Sequence, residues 1–182
     1  MQVKRERTDN KRIIFRIVTV VWTMVIFGFS LQPGKISDDM SSGFGQWLLK
    51  TFLPGLLEYF EEMPVDQMEH FHFLLRKGAH FTEYCILGVL AGLAIVSVDR
   101  IRQEYKELAA LSYCVLVAFV DETIQRFVPE RAGRIADVCL DSFGAAVGIF
   151  LLFISIRVIC SNINANLNVN HWGCGRFLGL SN

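Results

Sequence analysis

Asp121-Glu122-Thr123-Ile124-Gln125-Arg126 ends one apolar stretch of the chain, and Asp137 and Asp141 begin the next. Charged side chains are costly inside a membrane-spanning segment, and they usually face the interior of a helix bundle or a water-filled cavity. The two neighbouring groups of acids therefore predict a polar cluster at one end of a membrane-embedded bundle. This cluster is the first candidate for a functional site.

The composition supports a membrane protein. The chain has 182 residues, of which 52% are hydrophobic, and its mean hydropathy of +0.37 is high for a soluble domain. A chain of this length is most simply a single domain. Its net charge is zero, so nothing in the overall charge indicates nucleic acid as a partner, and we expect none.

Four apolar segments recur along the chain, at about 13–31, 81–98, 108–127 and 136–159. A helix needs roughly 20 residues to cross the hydrocarbon core of a bilayer. The third segment reaches that length only if its acids lie within it, and Pro129 then ends the helix because proline lacks the backbone donor. We therefore predict an all-α bundle of four transmembrane helices.

Charge placement predicts the orientation of this bundle. Six basic residues precede or open the first segment, which favours a cytoplasmic N-terminus: Lys4, Arg5, Arg7, Lys11, Arg12 and Arg16. The sequence thus divides into a basic cytoplasmic N-terminus (1–12), a membrane domain (13–160) and a cytoplasmic tail (161–182), placed in the cytoplasmic membrane. The aromatic-rich and acidic segment 34–76 would lie outside, either in the membrane interface or as a cap over the bundle.

Polar residues open the second segment at its outer end. Lys77, His80 and Tyr84 are spaced so that they form one stripe of a helix, and Glu83 flanks that stripe. In the fourth segment, Asp137 and Asp141 are one turn apart and share a face.

Small residues in the second and fourth segments predict how these two helices pack. Glycines four positions apart let membrane helices approach closely, and the two pairs are Gly88 with Gly92 and Gly144 with Gly148. Lys77 precedes Gly88 by the same interval by which Asp137 precedes Gly148. If the glycine faces pack together, Lys77 meets Asp137, and the stretch from His80 to Tyr84 lies level with Asp141.

The third segment ends at the same outer level. Asp121 and Gln125 share a helix face, and Glu122 can pair with Arg126 at the next turn. Arg131 and Arg134 in the following loop can reach the same pocket. The predicted ligand-binding residues are therefore Lys77, His80, Glu83, Tyr84, Asp121, Glu122, Gln125, Arg131, Asp137 and Asp141.

Several chemistries fit these residues. A histidine with carboxylates could bind a divalent metal or act as a general base, with His80, Asp121 and Glu122 as catalytic candidates. The arginines and Lys77 could hold a phosphate. A charge network that fixes the register of the helices is the structural alternative. No cofactor is expected and no metal site is assigned.

These motifs resemble the VanZ-like membrane protein family over residues 13–155. The matching residues are Phe29-Ser30-x-Gln32-Pro33, Lys77-x-x-His80-x-x-Glu83-Tyr84, Asp121-Glu122-x-x-Gln125-x-Phe127-x-Pro129-x-Arg131 and Asp137-x-x-x-Asp141-x-x-Gly144-x-x-x-Gly148. Asp141 departs from the family pattern, which usually has Asn there.

The resemblance implies a small polytopic bacterial membrane protein. The founding member of the family is linked to low-level resistance to teicoplanin, a glycopeptide with a lipid tail, so the resemblance also implies a protein of the cell envelope that modulates sensitivity to such glycopeptides. The expected partners are membrane lipids or a lipid-linked cell-wall precursor, bound by the outer pocket. A membrane-embedded hydrolase or transferase is the alternative, so enzymatic activity stays open, as do the ligand and the oligomeric state. An ion-coupled transporter is disfavoured because the inner halves of the second and fourth segments are almost wholly apolar.

Overall fold

The computed structural model describes residues 2–36, 65–96, 98, 100–131 and 133–167, with isolated positions at 40, 43, 47, 50 and 51. Among these residues the chain forms helices and no β-strand, which confirms the predicted all-α class. The long helices are α1 (Gln2–Ser30), α2 (Val65–Val96), α3 (Lys106–Gln125) and α4 (Ile135–Leu167). Most of the predicted interfacial segment 34–76 and the end of the predicted tail lie outside the described residues.

Three of the four helices are long and apolar enough to cross a membrane: Arg12–Ser30, His70–Val96 and Ile135–Asn162. Large apolar side chains such as Met24 and Phe150 point outward from the bundle, as contact with lipid requires. These features indicate an integral membrane protein. The predicted crossing by α3 stays a prediction, because only 13 residues separate Glu107 from Asp121.

α2 begins well before the predicted start at Phe81. Lys77 and His80 lower the hydropathy of the sequence before Phe81. The apolar segment therefore starts later in the sequence than the helix does in the structure. In the structure both side chains are mostly buried, and the helix continues through them from Val65.

α2 and α4 pack closely and run parallel. A Cβ added at Gly144 would collide with the backbone of Phe81, and one added at Gly148 would collide with the carbonyl oxygen of Cys85. A step of four residues along α4, from Gly144 to Gly148, corresponds to a step of four residues in the same direction along α2, from Phe81 to Cys85. The two helices are therefore parallel. Gly88 likewise meets the carbonyl oxygen of Ala145, so glycines of both helices lie at the contact between α2 and α4.

α1 runs antiparallel to α2. The Thr19 hydroxyl donates to the carbonyl oxygen of Leu90 at 3.1 Å, and Trp22 Nε1 donates to that of Glu83 at 3.0 Å. Trp22 follows Thr19 in α1, but its partner Glu83 precedes Leu90 in α2, so the two helices run in opposite directions.

α3 runs parallel to α1. The hydroxyl groups of Thr23 and Tyr113 are hydrogen-bonded at 2.8 Å, and further along both helices Ser30 donates to Asp121. The C-terminal ends of α1 and α3 and the N-terminal parts of α2 and α4 therefore meet at one end of the bundle, which we call the polar end.

Candidate functional site

Each of the four helices contributes a polar side chain to the polar end. We call these residues the polar cluster: Ser30 from α1, Lys77 and His80 from α2, Asp121 from α3, and Asp137 and Asp141 from α4. Placing this many polar groups between apolar helices is costly unless the groups satisfy one another. The contacts within the cluster are therefore the first evidence of what it does.

Lys77 and Asp137 form an ion pair between α2 and α4. Both side chains are about four-fifths buried, with 20% and 18% exposed, and the ammonium group also lies 5.4 Å from the centre of the Phe73 ring. The predicted contact between these two residues is confirmed.

Asp121 is completely buried and well hydrogen-bonded. One of its oxygens accepts from the Ser30 hydroxyl, and the other accepts from Gln125 Nε2 at 3.2 Å. Gln125 also donates to Ser30 Oγ at 3.3 Å, so the three side chains form a closed network. Ser30 was not among the predicted site residues, although its place in the Phe29-Ser30-x-Gln32-Pro33 motif was a signal.

Asp141 has a different environment. Only 1% of this residue is exposed, yet neither carboxylate oxygen has a hydrogen-bond partner among the described residues. One ligand atom each of His80, Asp121 and Asp141 lie within 4.8 Å of one another. The structure therefore brings together three predicted site residues from three helices, next to the fully buried Tyr84.

Glu122 holds the loop between α3 and α4. Its carboxylate accepts from the backbone N–H of Arg134 at 2.9 Å, while Arg126 Nε donates to the carbonyl oxygen of Gly133 at 3.3 Å. These contacts replace the predicted pairing of Glu122 with Arg126. Glu122 therefore fixes the start of α4, and it does not line the pocket described next.

A pocket of about 260 Å³ opens at the polar end. It is lined by Phe73, Arg76, Lys77, His80, Gln125, Glu130, Arg131, Arg134 and Asp137. Five of the ten predicted ligand-binding residues are among them: Lys77, His80, Gln125, Arg131 and Asp137. Asp121, Asp141 and Tyr84 lie buried in the bundle, and Glu83 stands beside His80, with Oε2 3.9 Å from Nδ1.

The pocket carries an excess of positive charge. Four lysine or arginine side chains line it against two carboxylates, so its potential favours an anion. Arg76 was missed because it ends the segment 34–76, which was predicted to lie in the membrane interface or to cap the bundle. Arg134 was considered near the site but was not assigned to it.

The segment that follows α1 supports the pocket wall. The backbone N–H of Gly34 donates to the carbonyl oxygen of Pro129 at 3.3 Å, and the Lys35 ammonium lies 3.6 Å from the Glu130 carboxylate. Glu130 has a positive φ of 63°, which is uncommon for a residue other than glycine. A side chain at position 34 would collide with Glu130, so glycine is required for this close approach.

Comparison with known proteins identifies a family. The model of the family described as VanZ/LLP1 matches residues 15–157, a range that includes every residue of the polar cluster and most of each long helix. No curated protein and no solved structure matches the chain.

Proposed function

This chain belongs to the VanZ/LLP1 family, and we propose that it is a bacterial cell-envelope protein that binds the phosphate-bearing head group of a lipid or lipid-linked cell-wall precursor. Binding would take place in the pocket at the polar end. By binding this head group, the protein would modulate sensitivity to lipophilic glycopeptides such as teicoplanin.

The excess of cationic side chains in the pocket is the observation that carries this proposal. Arg76, Arg131 and Arg134 line the pocket together with Lys77. Arginine is well suited to phosphate because its planar group can donate two parallel hydrogen bonds. Phe73, which is 43% exposed, offers an apolar surface for the chain of a lipid beside the charged head group.

The orientation of the bundle forms part of the proposal. The basic N-terminus favours the cytoplasmic side for the start of α1, which places the polar end on the outer face of the cytoplasmic membrane. We take α3 as a fourth crossing helix, because Leu108, Leu116 and Phe119 on its outward face are 61%, 65% and 63% exposed, as contact with lipid would require. The C-terminus then returns to the cytoplasm.

Teicoplanin susceptibility tests the envelope function. Bacteria would express the wild-type chain, the double variant Arg131→Gln/Arg134→Gln or an empty vector, with matched membrane levels. We expect the wild type to reduce susceptibility and the double variant to lose this effect. Arg102→Gln is the matched control, because Arg102 is exposed and paired with Glu104 away from the pocket. Equal protection by the double variant would refute the role of the pocket.

Direct binding tests the ligand class. The purified full-length chain in nanodiscs would be titrated with a polyprenyl phosphate and with the corresponding polyprenol. We expect the phosphate to bind and the alcohol to bind about tenfold or more weakly, because the arginines recognise charge. Equal affinity for the two compounds would contradict the proposed head-group recognition.

A hydrolase or transferase acting on a lipid-linked substrate is a second candidate, favoured by the position of His80. Its ring lines the pocket, and its Nδ1 has no hydrogen-bond partner among the described residues. A histidine so placed could take a proton from water as the water attacks the terminal phosphorus of a lipid diphosphate, which breaks the phosphoanhydride bond and releases inorganic phosphate and the lipid monophosphate. Release of phosphate from a polyprenyl diphosphate by the wild type, but not by His80→Gln, would support this activity. Unchanged lipid with both proteins would exclude it for that substrate.

A further inference from the structure

We propose that His80, Asp121 and Asp141 form a binding site for a divalent cation. The three residues come from α2, α3 and α4, and one potential ligand atom of each lies within 4.8 Å of the others. Divalent metal binding was one of the chemistries considered from the sequence, but no metal site was assigned there, and it is the structure that brings these three positions together. The inference goes beyond the proposed head-group binding, which needs only the cationic side chains of the pocket.

Asp141 provides the main argument. A buried carboxylate is normally paired or hydrogen-bonded, because removing its charge from water is costly. Asp141 is 99% buried, given its exposure of 1%, but neither of its oxygens has a hydrogen-bond partner among the described residues. Lys77, which α2 contributes to the polar cluster, is already paired with Asp137. A bound cation would satisfy both oxygens of Asp141.

Asp121 is held in a fixed orientation for such a role. Ser30 and Gln125 each donate to one of its oxygens, and each carboxylate oxygen keeps a further lone pair for a metal. Outer hydrogen bonds of this kind orient metal ligands and are common around metal sites. The closed network around Asp121 is therefore compatible with a metal on the side that faces Asp141.

His80 would complete the site and connect it to the pocket. Its Nδ1 has no hydrogen-bond partner within the part of the chain that the structure describes, and the Glu83 carboxylate stands 3.9 Å away as a further acidic group. The same ring lines the pocket. If the proposed head-group binding holds, a cation at this position would face the phosphate.

The ligand types indicate which cation fits. One imidazole nitrogen with two carboxylates suits Zn²⁺ or Mn²⁺. Ca²⁺ usually takes six to eight oxygen ligands, which these three residues do not supply. Three protein ligands leave at least one position open for water or a substrate oxygen.

Titration with Mn²⁺ tests the site. The full-length protein would be purified in detergent, treated with a chelator and titrated with Mn²⁺ while free Mn²⁺ is followed by electron paramagnetic resonance. We expect one Mn²⁺ per chain, displaced by Zn²⁺. Asp141→Asn keeps the shape of the side chain but removes its charge, and should weaken binding about tenfold or more. Glu107→Gln is the matched control, because Glu107 pairs with Arg157 away from the polar end.

A second variant keeps the test decisive. If Asp141→Asn does not fold, His80→Gln replaces it, with the same expected loss of Mn²⁺. The proposal is overturned if the wild type binds neither Mn²⁺ nor Zn²⁺, or if a folded Asp141→Asn or His80→Gln variant binds Mn²⁺ as tightly as the wild type. No lipid is present in this measurement, so its failure would leave the tests of the arginines and of head-group binding unaffected.

Discussion

Lys77 of α2 pairs with Asp137 of α4, and Gly88 and Gly148 each lie 11 positions further along the same two helices. The glycines are also at the contact between α2 and α4. The register of this helix pair is therefore fixed twice, by charge at the polar end and by close backbone approach further along the helices.

Reversing the charges of the ion pair should restore stability that the single variants lose. Lys77→Asp or Asp137→Lys alone leaves like charges facing each other, and we expect each to lower the free energy of unfolding by about 3 kcal/mol. The double variant Lys77→Asp/Asp137→Lys should regain more than half of the stability that either single variant loses, as measured by unfolding in mixed detergent micelles. Its affinity for a polyprenyl phosphate should stay reduced, because the cation is displaced. Simple addition of the two single losses would argue against the pairing.

Replacing a glycine at the helix contact should destabilise the bundle. In Gly148→Ala the new methyl group would collide with the carbonyl oxygen of Cys85, and overpacking of this kind typically costs about 1–3 kcal/mol. Gly78→Ala is the matched control, because a Cβ there meets no atom within 4 Å. Thermal unfolding in detergent should separate the two variants clearly, and equal melting temperatures would refute the close approach of α2 and α4.

Removing the Ser30 hydroxyl should weaken the network around Asp121. Ser30→Ala leaves one oxygen of a fully buried carboxylate without its donor, which costs about 1–3 kcal/mol. Ser155→Ala serves as the control, since the exposed Ser155 only donates to the carbonyl oxygen of Leu151 within its own helix. Chemical unfolding of both variants would show whether the loss is specific, and a neutral Ser30→Ala would contradict the network.

Lys106 should stabilise the end of α2. Its ammonium donates to the carbonyl oxygen of Val96, the last residue of α2, at 2.7 Å, and a cation near a helix C-terminus is favourable. We expect Lys106→Met to lower the free energy of unfolding by about 1–2 kcal/mol. Lys35→Met, at a side chain that is 83% exposed, should change it by less than about 1 kcal/mol. Similar effects of the two changes in an unfolding titration would refute a special role for Lys106.

Local spacing was enough to predict the contact between α2 and α4. The glycine pairs and the acids of α4 repeat at helical intervals, so the sequence predicted both the packing face and the register that joins Lys77 to Asp137. The start of α2 could not be predicted in the same way, because hydropathy records that Lys77 is charged and does not record that it is buried against a carboxylate.

Other parts of the site depend on contacts between distant positions. Ser30 lies 91 positions from Asp121, and a single serine at the end of an apolar helix has no periodic signal. Glu122 pairs with a backbone N–H of the following loop, which no side-chain pattern reveals. The convergence of His80, Asp121 and Asp141 likewise required three helices to be positioned in space.

The contribution of all four helices to the polar cluster has a consequence for biosynthesis. Ser30 and Lys77 leave the ribosome before Asp121, and Asp137 and Asp141 are synthesised last. Until α4 has entered the membrane, the ammonium group of Lys77 lacks Asp137, the carboxylate with which it pairs, and α2 lacks the surface against which its glycines pack. The cluster can therefore be complete only once α4 is in place, and a chain interrupted before α4 would present Lys77 without its partner in the ion pair.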